Sequence, residues 1–302
     1  MKKSIIDLFT KYKDVFFLLI LSLTPLIWYG LRTDIVITSF DSGYPIIPSE
    51  HLKKYFSGWN SGAVFGHQTI AGVLGSVIYT TAEVMLTKFT NSLYIGQEIY
   101  LVIWFLLPML SIYYLIKKLS AFKNHSYMGI LAAILYQFNF FQLIGWGEIW
   151  RTRFSIYVAM PLILLFLIDL FERKRKIIRS SFLIGITIFF FNGGGSPPLF
   201  GSLILLVLVT LLYFLLLNIH SLTKTFVIKT IFFLLFTLIV SITLSSFWII
   251  PYIYLAMRSY AETITASGGS VLAVLGWTDV ITASSSVLNL LRLQGLDFLQ
   301  AD

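Results

Sequence analysis

The stretch Gln68–Thr90, "QTIAGVLGSVIYTTAEVMLTKFT", decides how the rest of the chain threads. Apolar residues recur at Ile70, Val73, Leu74, Val77 and Ile78, the stripe of one helix face. Two glycines come early, and Glu83 and Lys88 interrupt the apolar pattern. Its uncharged run is short against the ~20 apolar residues that a bilayer span needs. The pattern predicts a helix that lies on the membrane surface or re-enters it, without crossing.

The rest of the chain makes a membrane the frame for that reading. Of 302 residues, 57% are hydrophobic and 12% charged, with mean hydropathy +0.85; soluble domains average about 25% charged residues. Seven apolar segments, 15–31, 94–116, 126–146, 155–171, 180–194, 199–217 and 229–250, predict membrane helices, the fifth marginal in length. Spans of this kind must be helical, because lipid offers no partner to backbone N–H and C=O groups. Trp and Tyr gather near their ends, where interfacial belts belong. The basic, then apolar, N-terminus resembles a signal peptide. No small-residue cleavage site follows "PLIWYGLRTD", so it reads as a retained first span.

Charge then fixes the expected orientation. With the N-terminus inside and 68–90 not crossing, the inner segments carry 14 of the 22 Lys and Arg, five of them in "FERKRKIIR". The net charge divides as +10 inside and −2 outside. If 68–90 crossed, "KKLSAFK" and "ERKRK" would fall outside, against the positive-inside bias. The expectation is an all-α polytopic membrane helix bundle of about seven spans, N-terminus inside. Its first outer loop, 32–93, carries an interfacial helix. Residues 1–255 form the transmembrane domain. Residues 256–302 start an extracytoplasmic region that ends abruptly after "LRLQGLDFLQAD", as a chain cut in mid-domain would.

Several chemistries lack their residues. There is no G-x-x-x-x-G-K-[ST] and no G-x-G-x-x-G, so no nucleotide-binding fingerprint. No D-x-D pair is present. With no cysteine, disulfides, thiolate catalysis and zinc-thiolate sites are excluded. His51, His67, His125 and His220 show no metal-ligand spacing. No G-x-S-x-G elbow appears. No cofactor is indicated, nor a divalent metal.

What remains is polar chemistry on the expected outer face. Asp41, in "SFDSGYPIIP", is the lead candidate. A carboxylate partly shielded at the membrane surface can have a raised pKa and take a proton from a hydroxyl; equally, it can open the turn "DSGYP". Asp34 carries the same two readings. "GWGEIWRTRF" brings Glu148, Arg151 and Arg153 to the mouth of two spans. Arginine suits bidentate contact with a lipid phosphate, and it also snorkels beside interfacial Trp. In "FNGGGSPP" the glycine N–H groups can form an anion-binding nest or a plain tight hairpin. Arg258, Glu262 and Arg292 fall on the same side.

Taken in order, "YFSGWNSGAVFGHQT", "RTRFSIYVAMPLIL", "NGGGSPP", "SSFWIIPYIYLAMRSYAETIT" and "LLRLQG" form a pattern. It resembles the membrane half of the large α-(1→3)-arabinofuranosyltransferases of actinobacterial cell walls, in the GT-C superfamily. Trp59, Asn60, Phe65 and Gly66 match that family's Trp-Asp…Phe-Gly stretch, with Asn60 in place of the acid. Gly194, Gly195 and Ser196 match a Gly-Gly-x-Asn-like break, and Trp248 and Pro251 a Trp-x-x-Pro end to a span. Leu291, Arg292 and Gly295 match a Leu-Arg-Gly, split here by two residues.

The resemblance implies an inverting glycosyltransferase in the plasma membrane with its active face extracytoplasmic. It implies a polyprenyl-phosphate sugar donor and a cell-envelope glycan or glycolipid acceptor, with no nucleic acid involved. Asp41 would be the general base, with Asp34 and Glu148 as further acids. Arg151, Arg153, Arg258 and Arg292 would meet the donor phosphate, and Trp59, Asn60, Gly194 and Gly195 the substrate. Two other classes stay open on the residues alone: a flippase of lipid-linked sugars, and a non-catalytic protein of envelope assembly. A flippase needs polar groups through the bilayer midplane, where the expected span centres have almost no ionisable residue.

Overall fold

The computed structural model describes residues 2–30, 36–37, 45–56, 74–119, 122, 125–149, 151–173, 177–217 and 224–266. Among them there is no strand. The helices are α1 (Lys2–Leu21), α2 (Thr24–Tyr29), α3 (Pro48–Phe56), α4 (Val77–Thr90), α5 (Leu93–Lys118), α6 (Ser126–Gln137), α7 (Phe140–Glu148), α8 (Arg151–Arg173), α9 (Ile177–Phe190), α10 (Pro197–Leu217) and α11 (Lys224–Ala266). Two single 3₁₀ turns, Leu74–Ser76 and Gly193–Gly195, join them.

Five helical segments are long and apolar enough to cross a membrane: Tyr12–Tyr29, Leu93–Lys118, Arg151–Phe171, Leu199–Leu217 and Ile228–Tyr254. A sixth crossing is available if α6 and α7, which meet at 51°, act as one broken span. Each of the seven expected segments carries helix, and among the described residues five, or six with the bent pair, are long and apolar enough to cross. The third is split where Asn139 accepts a hydrogen bond from the Gln142 N–H and restarts the helix as its N-cap. The fifth, α9, has 14 residues, roughly 21 Å at ~1.5 Å per residue, against a core of ~30 Å. The last helix runs on past the expected boundary at 255 to Ala266.

The deciding stretch is helical from Leu74 onward, and α4, with 14 residues, is not among the segments fit to cross. Asn91, in the left-handed conformation that Asn tolerates, ends α4 (φ 52°). Ser92 then caps α5 by accepting the Ile95 N–H at 3.3 Å. The two helices fold back on each other, and Gly96 lets them close: a Cβ there would lie 3.0 Å from the Thr87 backbone.

Helix α8 sits between two cores. Phe154 and Val158 enter one cluster with Leu18, Tyr100, Phe105 and Trp146. Ile156, Ala159, Ile163 and Leu167 enter another with Ile184, Leu203 and Phe233. Accordingly 56% of the α8 span is buried within the protein, against 11% for α10. Leu205, Leu208, Leu212 and Leu216 on α10 are exposed, as lipid-facing positions are. Where α5 ends, Lys117 pairs with Asp14 at 3.3 Å, and the Tyr113 hydroxyl donates to the same carboxylate at 3.0 Å.

At the opposite end, α8 begins, α9 finishes and α10 begins. There the backbone of Gly75 presses on that of Gly194 and Gly195, so any Cβ on Gly75 would collide with main-chain atoms. Backbone cannot retreat as a side chain can. Gly75→Ala should therefore cost about 1–3 kcal/mol or more. Gly201→Ala, a helix-interior position with open space around it, should gain about 0.5–1 kcal/mol. Unfolding of the two variants in the same detergent checks both signs.

Candidate functional site

The glycine junction and the ends of α3, α4, α5 and α8 enclose a polar cluster. At its centre is Glu83, with its side chain 0% exposed. The Arg151 Nη1 donates to Glu83 Oε1, and 12% of the Arg151 side chain remains accessible. The Tyr100 hydroxyl also reaches the Glu83 carboxyl. Burial pushes Glu83 above the usual carboxylate range, and the Arg151 charge and hydrogen bond oppose that shift.

Helix α3 covers this pair. Its buried Tyr55 accepts a hydrogen bond from Thr80 Oγ1 at 3.3 Å. One turn earlier, His51 Nε2 lies 3.1 Å from the same hydroxyl. Burial, then the charges of Arg151 and Lys54, push His51 below its ordinary value. His51 is therefore neutral at pH 7.

The glycine turn forms the wall beside Tyr79. Gly193, Gly194 and Gly195 have φ of 70°, 68° and 78°, the left-handed region where a side chain is strained. The Gly193 N–H donates to Ser155 Oγ at 3.0 Å. The Gly194 N–H donates to Asn192 Oδ1 at 2.8 Å and, less closely, to the Tyr79 hydroxyl at 3.4 Å. Tyr79 in turn donates to Asn192 Oδ1 at 3.0 Å. The N–H groups of Gly193 and Gly194 are thus spent inside the protein, and the turn is a packed junction there and not an open anion nest. Trp248 of α11 closes the cluster against Tyr55 and Leu74.

Among the expected site residues, Gly194 and Gly195 pack on Gly75, Arg151 pairs with Glu83, and Arg153 is turned away from that pair. Arg153 points to the other side of α8, over the Phe141 ring at 4.3 Å, with Nη1 3.4 Å from the Phe141 carbonyl. Gly145 makes room for it: a Cβ there would lie 3.0 Å from Arg153 Cδ. Two residues along a helix turn through about 200°, so neighbours at i and i+2 do not share a face. Glu148 ends α7 and Arg258 lies within α11, their side chains outside the described residues. Asp34, Asp41, Trp59, Asn60 and Arg292 also lie outside the described residues. The segment between α2 and α3 is nonetheless tied to α5: Gln97 Nε2 donates to the Ile37 carbonyl at 2.6 Å, and the Ile37 N–H donates to Gln97 Oε1 at 2.9 Å.

Sequence reasoning missed Glu83, Tyr100, Tyr55, His51, Tyr79, Ser155 and Asn192 as parts of one site. Glu83 carried a signal, since an acid inside an apolar helical stretch demands a partner. It had counted only against a crossing. Among the described residues no group of three or more His, Asp or Glu is arranged to hold a metal. No protein-family model, curated protein or solved structure matches this chain.

Removing one partner of a buried ion pair strands the other charge, a cost of about 3–5 kcal/mol. Glu83→Leu should show that loss, and Glu83→Leu with Arg151→Leu should recover most of it, measured by thermal unfolding in detergent. His51 gives a pH effect. From about pH 6.5 downward the unfolded chain takes up a proton at this residue that the folded chain resists. Stability falls as pH drops through that window, and His51→Gln should flatten this part of the profile.

Proposed function

We propose that the protein is a membrane glycosyltransferase of GT-C type. It transfers a sugar from a polyprenyl-phosphate donor to a glycan or glycolipid acceptor at the extracytoplasmic face of the plasma membrane. The observation that carries this reading is the Glu83–Arg151 pair with its tyrosines. It sets a fully buried carboxylate against an arginine that keeps partial access, at the start of α8. The basic residues Lys117, Lys118, Arg173 and Arg179 sit at the other end, where α5 and α8 finish and α9 begins. The positive-inside bias supports reading the site end as the outer one.

In this reading the acceptor hydroxyl loses its proton to a carboxylate, Asp41, with Asp34 and Glu148 as the other candidates. The hydroxyl oxygen attacks the anomeric carbon as the bond to the phosphate oxygen breaks, and the centre inverts. Arg151 faces the departing phosphate. Glu83 offsets its net charge and fixes its fork, so its remaining N–H groups act as aimed donors. Arg258 and Arg292 are the further cations proposed for that phosphate. Arg153, turned to Phe141, is not among them.

Two measurements test this. Membranes carrying the protein should pass radiolabel from a polyprenyl-phosphate sugar to cell-envelope acceptor. Asp41→Asn should abolish transfer, and Arg151→Lys should lower it at least tenfold. Transfer undiminished in both variants would remove these assignments. The native chain has no cysteine, so single cysteines report sidedness directly. A membrane-impermeant thiol reagent on intact cells should label Lys53→Cys and spare Lys118→Cys; the reverse labelling would invert the orientation.

A further inference from the structure

Helix α3 is attached to the body by little of its surface. Pro48 and Tyr55 are its buried residues, Leu52 is half-buried, and Glu50, Lys53, Lys54 and Phe56 are exposed. Tyr55 packs with Leu74 and Trp248, and Leu52 lies against the same cluster. The polar part of the attachment is one chain of hydrogen bonds. Thr80 Oγ1 of α4 donates to the Tyr55 oxygen at 3.3 Å. The hydroxyl hydrogen of Tyr55 is then left for His51 Nε2, 3.1 Å away, where the neutral ring accepts it. The two rings also meet edge to face, with centroids 5.1 Å apart.

A proton on His51 disturbs this attachment in two ways. First, Nε2 gains a hydrogen and stops accepting. Tyr55 keeps the contact only by turning its own hydrogen to Thr80, and the Thr80 hydroxyl must then turn away as well. Second, a positive charge arrives where positive charge already stands. Arg151 of α8 and Lys54 of α3 both act on His51. The acids on the elements packed here are engaged: Glu83 of α4 with Arg151, and Glu50 of α3 with Lys53 at 2.7 Å. Tyr55 of α3 and Tyr100 of α5 are phenols, neutral where imidazole titrates. Trp248, which α11 brings against Tyr55, carries no charge. In water, away from the body, the same imidazolium meets no such cost.

We propose that α3 is a proton-released latch over the Glu83–Arg151 pair: protonation of His51 frees Tyr55 from Thr80 and lets α3 lift, which opens the pair to water and to ligand. A latch of this kind regulates the site proposed above for sugar transfer, and it rests on that reading for its biological sense but not for its test. The sign follows from linkage. The open form takes up the proton with ordinary imidazole affinity and the closed form resists it. Opening therefore rises by up to about tenfold per pH unit below roughly pH 6.5, and it is suppressed above that.

The test is hydrogen exchange on the full chain, purified in detergent, with each amide corrected for the pH dependence of its intrinsic rate. Between about pH 7.5 and about pH 5.5, exchange in α3 should rise about tenfold while α5 and α8 stay protected. His51→Gln keeps a side-chain oxygen that can accept from Tyr55 and takes up no proton, so its α3 should stay protected at the lower pH. Tyr55→Phe removes the central hydroxyl of the chain, and its α3 should exchange faster already at the higher pH. At the lower pH, a carbodiimide with an added amine should modify Glu83 faster in the wild type than in His51→Gln. Three results overturn the proposal. One is α3 exchange that does not change with pH in the folded wild type. Another is an equal rise in His51→Gln, which would assign the proton to a different group. The third is a rise shared equally by α3, α5 and α8, which is loss of the whole fold and no latch. Sugar transfer enters none of these readouts, so its failure would sink the enzyme reading alone.

Discussion

The Glu83–Arg151 ion pair is the interaction on which the site depends. It joins α4 to the first residue of α8, the helix both cores share. Neither charge is well placed alone. Glu83 is fully buried, and Arg151 starts a helix whose next turns are buried. Together they cancel, and the Tyr100 hydroxyl is buried beside the carboxylate. Such a pair is weak as a source of stability, because hydrophobic residues of similar volume do as well. Its effect is positional: it ties the middle of α4 to the start of α8 and so fixes their register.

That register is what allows the glycine junction to form. With α4 held, the Leu74–Ser76 turn meets the Gly193–Gly195 turn backbone to backbone. The approach needs no side chain at Gly75 and left-handed backbone at Gly193, Gly194 and Gly195. Ser155, Tyr79 and Asn192 then absorb N–H groups that lipid would leave unpaired. The loop between two membrane helices thereby becomes a rigid wall, with Asn192 and Trp248 on either side of it.

The same packing explains which residues proved legible. The helical segments could be read from apolar run length alone, and each carries helix, the third as two pieces. The break at Phe138 and Asn139 could not, since both flanks are apolar and only the Asn139 cap marks it. Arg151 and Arg153 looked equivalent in the string "RTR". On the helix they face opposite ways, one to a carboxylate and one to the Phe141 ring. His51 and Tyr55 lay in a loop of no evident pattern, and only the fold sets their shared hydrogen bond above Thr80.

The sequence by itself determined that the chain is built of long apolar helices fit for a membrane, that the stretch 68–90 carries a helix, described from Leu74 onward, and that basic residues cluster between particular helices. These follow from local quantities, namely run length, periodicity and charge, summed along the chain. Tertiary structure alone decided that Glu83 meets Arg151, that Gly75 meets Gly195, and that Asn192 and Trp248 flank one turn. Each of those pairs is separated by more than fifty residues. Their meeting depends on how α4, α8 and α11 pack, and no local pattern encodes that.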